Sequence, residues 1–275
     1  MARRARRSLP LLRPAATVVA LGGAVLLGAR LGLQRQAAIA RRRIGKPLGE
    51  DALDADRVWR SALSGEPVDL VMLGDSIAAG LGAHRRKDTL GARLAKGLAA
   101  ELQRPVRLRT AAVVGAESST LDAQIDDLPA DYRPDVAVII VGGNDVTHRV
   151  PVATAASHLG TAVARMQGRG AAVVVGTCPD LGALRAVPQP LRSIGSRVSQ
   201  QLAAAQAVQA EAAGARVVSL RRAVGPFFLI DPDGMFSLDR FHPSALGYRR
   251  TADALLPELV DAIRAASVTR RFSRT

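Results

Sequence analysis

Apolar positions fall into two kinds of run along this chain. Short, solid stretches of aliphatic residues lie at 68–73, 106–114, 136–141, 171–175 and 216–220, and several of them end at glycine. Their length and β-branched content predict strands. Between them, apolar residues recur every three or four positions over 90–102, 121–128, 152–166, 191–213 and 244–266, which predicts helices. Pro257 lies inside the last of these and is expected to kink or break it. Strands that are apolar on both faces and alternate with helices indicate a parallel sheet covered on both sides. Five such strands fit a flavodoxin-like doubly wound α/β fold, three layers (α/β/α) around a five-stranded parallel sheet. In that architecture functional residues gather at the carboxyl ends of the strands. One rim would then carry Gly74-Asp75-Ser76, Gly115 and Gly142-Gly143-Asn144-Asp145. Segment 178–190, with Pro179, Pro188 and Pro190, reads as a loop, and no internal repeat is visible.

Composition narrows the picture. Of 275 residues, 48% are hydrophobic but only 3% aromatic, so the core must be built from Ala, Val, Leu and Ile. The single Cys excludes a disulfide framework and a Cys-based zinc site. A formal charge of +14 suggests a nucleic-acid binder until the charges are located. Residues 1–46 hold 11 Lys and Arg and no acid, and Arg270, Arg271 and Arg274 close the chain. Residues 47–269 carry 24 bases and 24 acids, so the body is neutral and offers no basic face for nucleic acid. At the N-terminus, five arginines within 1–13 precede an uncharged, mostly apolar run over 14–29. A basic region followed by an apolar run is an export signal or a signal anchor. As a helix continued through Leu33, the run approaches the ~30 Å of a hydrocarbon core. A cleaved signal, with Ala38-Ile39-Ala40 as its cleavage pattern, and a buried core helix are the alternatives. Five basic residues precede the run and six follow it, so the side of the membrane stays open. The expected organisation is a basic signal or anchor segment over 1–46 with an apolar helix at about 14–33, a linker over 47–64, a domain over 65–266 and a basic tail over 267–275.

Chemistry concentrates in four places. Gly74-Asp75-Ser76 follows the first strand, Gly115 the second and Gly142-Gly143-Asn144-Asp145 the third, and Asp239-Arg240-Phe241-His242-Pro243-Ser244 opens the last helix. In this order the blocks resemble those of the SGNH hydrolases, the GDSL-type esterases and lipases, over roughly 65–266. Ile77 stands where the family name has Leu, a conservative apolar change. The resemblance implies the SGNH hydrolase fold, with Ser76 as nucleophile and His242 as base. Asp239 lies three residues before His242, close enough to accept from Nδ1–H and fix the tautomer. The resemblance also implies an oxyanion hole made by the backbone N–H groups of Ser76 and Gly115 and the side-chain amide of Asn144, with no cofactor and no metal. Asp75 and Asp145 read as structural. His84, His148 and His158 are rivals to His242; His148 is the most serious, because Asp145 precedes it at the same spacing. The α/β-hydrolase alternative fails because its nucleophile elbow needs a glycine at position 78, which is Ala.

The implied activity is cleavage of carboxylic esters through an acyl-serine intermediate. Leu181, Leu184 and Val187 after the fourth strand, and Phe227, Phe228, Met235 and Phe236 before the Asp-His segment, are expected near the catalytic end. Leu181, Phe227 and Phe228 are the expected substrate contacts of an apolar pocket for short to medium acyl chains. The expected partners are a small-molecule or lipid ester and, through residues 1–46, a membrane. Three alternatives belong to other classes: an O-acyltransferase on cell-envelope carbohydrate, a non-catalytic membrane-tethered binding module, and a metal-dependent phosphoesterase using Asp75, Asp145 and His148.

Overall fold

The computed structural model describes residues 13–272, with side chains over 25–266. Six strands form one sheet: β1 (Val58–Trp59), β2 (Val68–Gly74), β3 (Val106–Thr110), β4 (Val136–Ile140), β5 (Ala172–Gly176) and β6 (Arg216–Val218). Their order is β1-β3-β2-β4-β5-β6. The five strands expected from sequence, β2 to β6, are all parallel and doubly wound about β2. The sixth strand is an addition. β1, inside the stretch expected as linker, pairs antiparallel with β3 at the sheet edge. Two residues carry no periodicity, so β1 has no signature in the sequence.

The long helices are α1 (Arg13–Ile44), α3 (Leu90–Leu102), α6 (Val152–Gly168), α7 (Leu191–Ala212) and α11 (Ala245–Phe272). Shorter ones are α2 (Ser76–Ala79), α4 (Leu121–Asp126), α5 (Gly143–His148), α8 (Leu220–Ala223), α9 (Gly225–Ile230) and α10 (Pro232–Met235). Pro257 lies inside α11, which continues as one helix rather than breaking.

The two-residue side-chain alternation of a strand sorts the apolar runs onto two cores. Leu70, Met72, Val138 and Ile140 face α3 and α11, packing with Leu90, Leu94, Leu98, Leu255 and Leu259. Val71, Leu73, Ile139 and Val173 face the other way, onto Leu121 and Ile125 of α4 and Leu159, Val163 and Met166 of α6. Solid apolar strands are thus required by two buried faces, as in a three-layer fold.

The C-terminal half of α1 lies on the body. Ala40 is buried, Gln36 Oε1 accepts the Leu191 backbone N–H at 2.9 Å, and the Arg43 guanidinium donates to the Ala186 carbonyl at 3.4 Å. Among the described residues no helix is long and apolar enough to cross a membrane. The structure therefore lends no support to the anchor expected at about 14–33. Residues 1–12, the side chains of 13–24 and part of the expected C-terminal tail lie outside the described residues.

Candidate active site

The site is built at the carboxyl end of β2. Gly74 has φ +127°, and a Cβ there would sit 1.8 Å from the Ile140 carbonyl oxygen of β4, so only glycine permits the turn. The Asp75 backbone N–H donates to that same carbonyl at 3.0 Å. The Asp75 carboxylate caps α2 by accepting the Ile77 N–H at 2.9 Å, which leaves Ser76 as the first helical residue. Gln124 braces the turn from α4. Its amide accepts the Gly74 N–H at 2.8 Å and donates to the Gly74 carbonyl at 2.9 Å.

His242 is delivered by a tight loop. Phe236 and Pro243 form an antiparallel bridge, and the Ser237 N–H donates to the His242 carbonyl at 2.8 Å. The Ser237 hydroxyl of this loop donates to the Gly82 carbonyl at 3.0 Å, and from α11 the Tyr248 hydroxyl donates to the Leu81 carbonyl at 2.6 Å, so the loop and the helix after it both hold the segment following α2. Gly82 has φ +107°, and a Cβ on it would strike the Pro243 carbonyl at 2.5 Å. The two loops therefore approach each other only because this residue lacks a side chain.

The result is a continuous relay. His242 Nε2 lies 3.0 Å from Ser76 Oγ, and Nδ1 lies 2.5 Å from Asp239 Oδ2. Asp239 Oδ1 accepts the backbone N–H groups of Phe241 and His242, both at 3.0 Å. Burial alone would raise the Asp239 pKa. The His242 ring and these two N–H groups outweigh it, and the carboxyl is held below its usual range. An ionised Asp239 places the imidazole proton on Nδ1 and leaves Nε2 to accept from the serine hydroxyl.

Ser76 and His242 open into a cleft enclosing about 790 Å³ of empty space out to its mouth. Its walls are mostly apolar, including Leu181, Leu184, Leu220, Val224, Phe228 and Phe236. Asn144, in α5, also lines it, with its amide donating to the Ala116 carbonyl at 3.0 Å.

The sequence model of the GDSL-like lipase/acylhydrolase family matches residues 72–250. A GDSL-like esterase of Mycobacterium tuberculosis is 39% identical over 269 residues, 94% of this chain and 85% of the relative. The chain belongs to the GDSL-like lipase/acylhydrolase family. Solved structures of low identity share the fold. One is a lipase/acylhydrolase from Enterococcus faecalis, with TM-score 0.54 and 21% identity over 70% of this chain and 96% of that one. Another is a catalytic mutant of an acetylxylan esterase from Geobacillus stearothermophilus, with TM-score 0.54 and 19% identity over 71% and 95%. The chain is a carboxylic ester hydrolase of the SGNH/GDSL type.

Within this GDSL-like hydrolase, most residues singled out from sequence converge. Ser76, Asp239, His242, Asn144, Leu181 and Phe228 stand in or directly behind the cleft. Two do not line it. Gly115 is exposed, at φ +85° with open space where a Cβ would be. Phe227 is 40% exposed and lies under the Arg250 guanidinium at 4.7 Å from the ring centroid. Neighbouring residues on a helix point about 100° apart, so α9 turns Phe228 inward and Phe227 out. The rival histidines have other surroundings. His148 pairs with Glu117 at 2.6 Å, while Asp145 accepts from the backbone and hydroxyl of Ser118. His84 is exposed and His158 half-buried in α6. The three residues of the metal alternative thus have separate partners.

Burial pushes the Asp75 carboxyl up to about 6, against the Ile77 N–H that pulls it down. Burial also raises the Asp145 carboxyl and the Cys178 thiol, which is fully enclosed and not an activated nucleophile. The pattern did not single out Leu220, Val224, Gly225 and Thr251, which complete the cleft. The first three follow β6 at the functional rim, so the strand-end rule would have reached them. Gln124 and Gln206, both buried, had no signal in the sequence.

Proposed function

We propose that this hydrolase cleaves esters of short to medium acyl chains through a Ser76–His242–Asp239 triad. The observation that carries the reading is the unbroken relay from Asp239 through His242 to Ser76 Oγ, at 2.5 and 3.0 Å, facing an apolar cleft. Ser76 Oγ attacks the acyl carbon as His242 Nε2 takes its proton, and Asp239 stabilises the resulting imidazolium. The charge on the carbonyl oxygen develops beside the Ser76 N–H at the start of α2 and the Asn144 amide. One Asn144 hydrogen is held by Ala116, which orients the amide plane. Gly115 N–H is the third proposed donor, on the loop whose Ala116 carbonyl holds Asn144. The imidazolium then protonates the departing alcohol, and water, deprotonated by His242, hydrolyses the acyl-serine. Residues 65–266 form the proposed catalytic unit. A membrane or export address in residues 1–46 is supported by the five arginines ahead of an uncharged apolar run.

An organophosphonate ester that mimics the tetrahedral intermediate should label Ser76 in stoichiometric amount. His242→Ala should lower kcat by about 10³–10⁶. Labelling at another residue, or full turnover without His242, would overturn the triad.

A further inference from the structure

Two segments wall the apolar cleft. One follows β5 and supplies Pro179, Asp180, Leu181, Ala183 and Leu184; the other follows β6 and supplies Leu220, Val224, Gly225 and Phe228. Each wall sends one arginine to the other. Arg221, from the second, donates through Nε to Asp180 Oδ2 at 3.1 Å. Arg185, from the first, donates to the Leu229 carbonyl of α9 at 3.0 Å. The posts are firm on the first wall: Asp180 Oδ1 also accepts from the Ser196 hydroxyl of α7 at 2.7 Å and the Gly182 N–H at 2.8 Å. The bridging side chains are exposed, with Arg221 at 45% of its side-chain surface. Neither arginine lines the cleft or touches the triad.

From this we infer that Arg185 and Arg221 are positioning residues that set the acyl-chain length this enzyme accepts, by strapping the two walls together. The inference rests on the acyl-ester reading of the cleft. An acyl group bound at Ser76 has its carbonyl at the relay and its hydrocarbon tail between the walls. The separation of the walls then decides how long a tail enters without strain. A partly exposed ion pair (Arg221–Asp180) and an exposed hydrogen bond (Arg185 to the Leu229 carbonyl) are each weak. Two such straps therefore hold the gap without locking it, and their loss should widen the gap rather than unfold the domain.

The test is the hydrolysis of p-nitrophenyl acetate, octanoate and decanoate by the full chain and by the Arg185→Gln/Arg221→Gln double variant. The straps predict that kcat/KM for acetate stays within about twofold. The decanoate-to-acetate ratio should rise about tenfold, through KM rather than kcat. Arg221→Lys, which keeps the charge, should recover part of the parent ratio in a chain that retains Arg185. A second variant probes the same gap from the opposite side. A Cβ on Gly225 meets nothing within 4 Å, so Gly225→Val should fold and should reduce octanoate cleavage more than acetate cleavage. A ratio unchanged in the double variant would overturn the inference, as would Gly225→Val affecting acetate and octanoate equally. Loss of Ser76-dependent acetate cleavage in the parent would instead refute the ester reading itself.

Discussion

At the scale of single residues, Asp75 is the group whose environment most clearly leaves a mark on stability. Its folded pKa, about 6, lies above its ordinary 3.8. Between roughly pH 4 and 6 the folded chain therefore keeps a proton that the unfolded chain has released. The stability Asp75 contributes is full below pH 4 and is lost as pH rises through 6. Two units correspond to about 3 kcal/mol. Asp75→Asn keeps an oxygen for the Ile77 N–H and cannot ionise. Urea unfolding of both proteins at pH 4 and pH 7 should show the variant gaining on the parent by an amount of that order; a pH-independent difference would contradict the account. Asn144 is tested by turnover. Asn144→Ala should lower kcat by about 10²–10³, the usual cost of one oxyanion donor, and a fully active variant would remove it from the hole.

At the scale of elements, the structure adds fastenings that pattern alone does not show. Strand and helix positions were legible because burial on two faces forces solid apolar strands and one-sided helices. Gly74, Asp75 and Ser76 were legible because a strand end, a turn and a helix start each demand particular residues. Gln124 and Gln206 were not, since a buried glutamine looks like any polar residue in a helix. Yet Gln124 satisfies both backbone groups of Gly74, and Gln206 bridges the Cys178 N–H at 2.7 Å and the Val141 carbonyl at 2.9 Å. Gln124→Leu would leave the Gly74 N–H buried and unpaired, at about 1–3 kcal/mol, while the Gly74 carbonyl keeps the Val113 N–H at 3.1 Å. A drop in melting temperature accompanied by weaker Ser76 turnover is expected. Unchanged thermal unfolding would show that the brace is dispensable. Phe227 and Phe228 were expected alike as substrate contacts, because adjacent aromatics in a short helix look equivalent in sequence; the helix phase, which leaves Phe227 40% exposed and Phe228 buried, separates them only in the structure.

At the scale of the molecule, doubly wound connectivity brings together residues 166 positions apart, Ser76 and His242, in one relay. The order of the four blocks made that meeting legible; the route was not, because it depends on Gly82 and Ser237 joining two loops and on Tyr248 of α11 holding the first of them. The cleft these elements enclose is apolar, which favours an acyl group over a charged ligand. The proposed mechanism stands on Ser76 as the nucleophile of an ester hydrolase. Its most direct test is hydrolysis of p-nitrophenyl esters from acetate to palmitate by the full chain beside its Ser76→Ala variant. Cleavage should peak at short to medium chains and fall by about 10³-fold or more when Ser76 is replaced. Cleavage that persists undiminished in Ser76→Ala would contradict the mechanism.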